Sequence, residues 1–197
     1  MALDTQEVRS FPFGHVYVAP VGTAEPATID TAVSLAAGWI EMGHGAEDGP
    51  KFSFGKTRTP VASWQSGGLP VRNLKGAAPT TVGYSLLQWN RWTIPYALGD
   101  SGTWAESAPG SGLWTYTPGA TSDVDERALI VEATDGDVKY RYIFRKTENQ
   151  AALEFAFTGT ALAPMPIVAT VLEADGGAKP YIIQTNDTQI SEAEASA

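Results

Sequence analysis

Apolar and polar positions alternate along most of this chain, and that period of two predicts a mainly β protein. The segment GHVYVAP sets Val16 and Val18 on one face against His15 and Tyr17, a first strand. A loop rich in Pro, Thr and small residues follows, then a short strand over Trp39 to Met42 and a turn at HGAEDGP. Lys51 to Gly99 is the organising stretch. Phe52 and Phe54 share one strand face; KTRTPVASWQS and PVRNLKG form a long excursion broken by Gly67, Gly68 and Pro70. After a turn at Ala78-Pro79, TTVGYSLLQW returns with Val82, Tyr84 and Leu86 on one face. The period then changes: NRWTIPYALG brings Trp92, Tyr96 and Leu98 together only at helical spacing. Pro95 restricts that helix to a start near Thr93, and Gly99 is placed to stop it.

The later chain repeats the β pattern. About 27 residues of Gly, Ser, Thr and Pro follow Gly99, too many for a bare loop, so short strands are expected around Trp104 and over Leu113 to Thr117. In ALIVEATDGDVKYRYIFRK, Leu129, Val131 and Ala133 line one face and Val138, Tyr140, Tyr142 and Phe144 line its partner. Asp135-Gly136 supplies a type I′ turn, and Glu132, Lys139 and Arg141 are outward charges suited to cross-strand pairing. TENQ reads as another turn, and AALEFAFTGTALAP as a final strand with Leu153, Phe155 and Phe157 inward. The expected division is a loose arm over 1–11, a β-domain over 12–163, and an extension over 164–197. Within that extension Ile167 to Leu172 and Tyr181 to Ile183 add strand to the chain's own sheet or to a neighbour's, and the last part is disordered.

Several of these segments also carry a resemblance. HVYVAPVGTAEP, the Trp-x-x-x-Gly step from Trp39 to Gly43, AAGWIEMGHGAEDGPKF, the basic-polar excursion through SWQS and PVRNLKG, and the helix closing on ALG stand in one order. Over residues 12–163 that order resembles the major tail (tail tube) protein of long-tailed, non-contractile bacteriophages. The resemblance implies a β-sandwich closing toward a barrel, with a long projecting hairpin and one short flanking helix. It implies that six copies form a ring lined by β-strands and that the rings stack into a tube. Lys56, Arg58, Trp64 and Arg72 would then serve contacts between subunits and stacked rings. Tape-measure, terminator and distal tail proteins are the implied partners, and DNA passes through the lumen without specific binding. The implied location is the virion tail, assembled in the host cytoplasm.

Composition is compatible with that role. The chain has 197 residues, 20 glycines, 13 prolines and no cysteine, so disulfide and thiolate chemistry are absent. A formal charge of −9 opposes a protein that grips nucleic acid through its phosphates. No apolar run approaches the ~20 residues of a membrane helix, and MALDTQEVRS has no apolar signal core, so the chain reads as soluble and cytosolic in synthesis.

Candidate chemistry is sparse. His15 and His44 lack metal-ligand spacing, and no metal or cofactor is expected. Gly99-Asp100-Ser101-Gly102 spells a serine-protease nucleophile signature without the matching histidine context. Asp135 and Asp137 flank only a hairpin turn, not a calcium loop, and Asn186-Asp187-Thr188 matches a glycosylation pattern. No enzyme is expected. The alternative function is a β-sandwich carbohydrate-binding or host-adhesion module, with Trp104 and Trp114 as stacking platforms.

Overall fold

The computed structural model describes residues 8–76, 79–120, 123–154, 156–157, 159 and 162–192, without the side chains of 191 and 192. In chain order the strands are β1 (Phe13–Pro20), β2 (Ile40–Glu41), β3 (Lys51–Phe54), β4 (Arg58–Ala62), β5 (Pro70–Lys75) and β6 (Thr80–Leu86). Helix α1 (Thr93–Leu98) follows, then β7 (Thr103–Glu106), β8 (Trp114–Thr117), β9 (Glu126–Asp135), β10 (Val138–Asn149), β11 (Met165–Val171), β12 (Tyr181–Thr185) and α2 (Thr188–Glu192). The protein is mainly β, as the alternation predicts.

One antiparallel sheet runs β2-β1-β9-β10-β11-β6-β3, with β12 also paired to β10. β10 is the strand on which the layers meet. Its first half, Tyr140 to Phe144, pairs with β12, whereas Thr147 to Asn149 pair with β11. The register against β9 slips between Phe144 and Thr147, the mark of a bulge, which bends a strand and lets it change neighbours. Beyond the bulge β11, β6 and β3 fold back over the first layer. The Phe52 ring of β3 stacks on Tyr142 at 4.6 Å between centroids, although β3 and β10 stand apart in the ladder. The result is a two-layered sheet that does not close into a barrel.

The main core lies between the layers, where Val82, Tyr84, Leu86, Leu129, Val131 and Phe144 are buried as the period of two requires. Tyr84 donates to the Tyr96 hydroxyl at 3.3 Å inside it, and burial pushes Tyr96 up to about 12. A second core covers the opposite face of β9 and β10, with Trp39, Ala128, Ile130 and Ile143. Residues 21–39 form that cover. Arg141 holds them by donating to Thr28 O and Thr31 O, and Trp39 Nε1 donates to Ala24 O. Glu132 and Arg141 therefore do pair, at 2.5 Å, but not outward: Arg141 is 3% exposed. The alternation of polar with apolar residues hid a strand pair buried on both faces.

Other expectations change for local reasons. The hairpin turn is Gly136-Asp137, closed by Asp135 opposite Val138. Gly136 has φ of 60° and no non-glycine has positive φ among the described residues, so the turn is type II′, not I′. TENQ is no turn, because Thr147, Glu148 and Asn149 continue β10 and Thr147 is buried. Residues 151–154 form no strand and Phe157 is exposed; Phe155 lies outside the described residues. The β11 strand takes the place beside β10 that this run would need. Of Trp39 to Met42 only Ile40 and Glu41 are strand; the turn at Leu35–Ala37 ends at Gly38 in left-handed conformation just before it. The chain from 164 onward supplies β11 and β12, both in its own sheet. Arg9 donates twice to Asp187, at 2.9 and 2.7 Å, which ties residues near the N-terminus to the segment after β12. The turn at Ala78 and the extreme ends of the chain lie outside the described residues.

Helix α1 begins at Thr93 and ends at Gly99, whose φ is 67°. Asn90 Oδ1 accepts from the Trp92 and Thr93 amides, and Thr93 Oγ1 accepts from the Asn90 amide, so the first turn is closed reciprocally. Pro95 lies in that first turn, where its missing N–H costs nothing. The buried face is Thr93, Tyr96 and Ala97. Trp92 and Leu98 are exposed, so the expected grouping with Tyr96 is corrected: Trp92 precedes the first helical residue.

Candidate functional site

β4 and β5 pair only with each other, and every residue of both strands is exposed. Arg58 stands opposite Lys75 and Pro60 opposite Asn73 on one face; Thr59 opposite Leu74 and Val61 opposite Arg72 share the other. From Arg58 to Trp64 such a hairpin reaches about 20 Å at ~3.4 Å per residue. Its tip is built, not slack. Ser66 N donates to Ser63 Oγ at 3.2 Å while Ser63 N donates to Ser66 Oγ at 3.3 Å. Gly67 and Gly68, with φ of 63° and 86°, then turn the chain back. The tip presents Trp64, which is 91% exposed, together with Leu69 and Val71.

Four cations stand on this arm: Lys56, Arg58, Arg72 and Lys75. None of them makes an ion pair among the described residues, whereas in the body Arg9, Lys51, Arg127, Arg141, Arg145 and Lys146 do and Arg91, Lys139 and Lys179 do not. Arg58 facing Lys75 is a like-charge pair, unfavourable in an isolated hairpin. A two-stranded hairpin with exposed apolar groups is also marginal by itself. Both features leave this surface without a covering element of its own subunit among the described residues. Sequence reasoning groups Lys56, Arg58, Trp64 and Arg72 but does not single out Lys75, Leu69 or Val71. The signal available was charge: residues 49–91 hold six Lys or Arg and no acid, and 92–126 hold five acids and no Lys or Arg.

The acidic segment carries the second surface. β7 and β8 pair so that Trp104 faces Tyr116 and Glu106 faces Trp114, which makes the two tryptophans diagonal neighbours on one face. They line, with Asn90, Arg91 and Ile94, an apolar hollow of about 390 Å³ beside α1. Trp104 Nε1 donates to Arg91 O at 3.0 Å, and the Tyr116 hydroxyl donates to Asp100, which fixes this hairpin against the helix. Glu106 accepts from the Gly110 and Gly112 amides and so shapes the loop between the strands. Asp100, Glu106 and Asp123 bond only neutral groups among the described residues, which leaves their charge uncompensated there.

The remaining candidates occupy structural positions. Ser101 Oγ donates to Asp123 at 3.1 Å, His15 Nδ1 sits 2.7 Å from Glu41, and the His44 backbone amide donates to Gln88 Oε1. Asp135 accepts from the Ser10 amide, and Asn186 bridges Lys139 N and Asp137 O at the end of the β9–β10 hairpin. Among the described residues no three His, Cys, Asp or Glu side chains gather as a metal site. Asp125 is buried beside Arg127 at 2.6 Å, with Oδ2 lacking a partner among the described residues, and burial raises its carboxyl above the ordinary range. No described helix is long and apolar enough to cross a membrane.

Among comparisons with known proteins, no curated protein matches the chain. The family model described as phage tail tube protein matches residues 1–196. With nearly the whole sequence inside that match, the chain belongs to the phage tail tube protein family.

Proposed function

We propose that this chain is the repeating subunit of a tail tube, self-assembling into stacked hexameric rings through which DNA passes on ejection. It carries out no reaction: its activity is assembly. The observation that carries this reading is the β4–β5 arm, whose cations and apolar tip have no partner among the described residues of their own subunit. Lys56, Arg58, Trp64 and Arg72 serve the contact between subunits of neighbouring rings. The formal charge of −9 disfavours retention of phosphates in the lumen and lets DNA slide. Tape-measure, terminator and distal tail proteins set where the tube starts, how long it grows and where it ends. The tube forms in the host cytoplasm and functions in the virion.

Sedimentation velocity over a concentration series, with negative-stain microscopy of the heavy fractions, tests this. Rings or tubes of uniform width are expected. A subunit that stays monomeric at every concentration, with and without tape-measure and initiator proteins, overturns it.

A further inference from the structure

The arm exposes an indole and four cations, and the hollow is apolar with two acids beside it, yet they belong to different elements of one chain. We propose that the hollow walled by Ile94, Trp104 and Trp114 receives the arm tip of a second copy, with the Trp64 indole seated in it. This inference rests on the tube-subunit reading and adds the surface that receives the arm.

Three observations carry it. The arm exposes an aromatic anchor on a tip already held by the reciprocal Ser63–Ser66 bonds, so little freedom is lost on docking. The hollow is apolar and faced by two indoles, one of them pinned through Nε1, which suits a third aromatic ring. The charges match in part: the arm's Lys56, Arg58, Arg72 and Lys75 are unpaired among the described residues, while Glu106 stands opposite Trp114 and Asp100 accepts from the Tyr116 hydroxyl beside Trp104, two acids against the one cation of the wall, Arg91. Interfaces of this kind concentrate their energy in a buried Trp or Arg ringed by polar contacts. Trp64 with Arg72 fits that pattern.

The absence of cysteine makes the test clean. Gln65→Cys places a thiol beside Trp64, and Arg91→Cys places one in the wall of the hollow; both substitutions leave the indoles intact. The two variants are mixed, assembled and oxidised. A disulfide joining position 65 of one copy to position 91 of another should dominate, with either variant alone giving about tenfold less cross-linked dimer. Adding Trp64→Ala to the Gln65→Cys partner should lower the yield about tenfold, whereas Trp64→Phe should retain most of it. Assembly without this cross-link, or Gln65→Cys joining only to itself, overturns the docking while leaving the tube reading intact. Failure to assemble overturns both. Blocking of the cross-link by oligosaccharides that quench tryptophan fluorescence in the unassembled subunit would assign the hollow to sugar and also overturn it.

Discussion

At the scale of single residues, buried polar groups other than Asp125 Oδ2 are held by specific partners among the described residues, and the cations of the arm are not. Arg141 is enclosed by Glu132, Gln184 and the carbonyls of Thr28 and Thr31. Glu132→Gln leaves that guanidinium without a counter-charge and should cost about 3 kcal/mol of stability by chemical denaturation, because removing one partner strands the other. Asp187 offers a pH test. Arg9, followed by the Tyr140 hydroxyl and the Gln189 amide, holds its carboxyl well below the usual carboxylate range against the opposing effect of burial. A folded value below the unfolded one means stability that is fully present above about pH 4 and lost as pH falls further. In Asp187→Asn that acid-dependent part should vanish, leaving a shallower stability profile below about pH 4. By contrast Trp64→Ala should move subunit stability by less than about 0.5 kcal/mol, since the ring touches solvent in the monomer.

Elements separate the same way, into those the body needs and those it does not. Replacing residues 57–76 with a short turn should leave the thermal midpoint of the monomer within a few degrees and abolish sedimentation of heavy species. Loss of folding on that deletion would show that the arm serves the body instead. Strands with one wet face were legible from alternation: β1, β6 and the short pair β7 and β8 appear where the period of two and the loop-length argument put them. The exposed basic run of the arm was legible in the sequence, and the role proposed for Lys56, Arg58, Trp64 and Arg72 came from the resemblance. Where the reading failed, the sequence carried no local sign. Glu132 and Arg141 look outward by type, and residues 21–39 together with Gln184 of β12, all far away in sequence, bury them. Leu153 does pack against the main core as the pattern has it, but its run forms no strand, because the place beside β10 goes to β11, which begins only at Met165. Pairing choices made at long range do not show in short-range periodicity.

For the whole molecule, the separation of charge along the chain should govern assembly. In the docking proposed above, cations on the arm and acids beside the hollow meet across exposed surfaces, where salt screens them over ~8 Å at physiological ionic strength. Raising salt from about 50 mM to about 500 mM should slow tube growth, read by light scattering, with little change in the thermal midpoint of the subunit. Growth indifferent to salt would mean that apolar docking alone sets the rate.

The bulge in β10 has a mechanical consequence. Along that strand the ladder bridges the two layers over a short seam, where Thr147, Glu148 and Asn149 meet Val171, Thr170 and Ala169, flanked by the Leu172 N to Lys146 O and Gln150 N to Val168 O bonds. In the tube proposed above, load passed from layer to layer within a copy would cross that short seam and the apolar core behind it, and bending is expected to show as lost amide protection over residues 146–150 in hydrogen exchange.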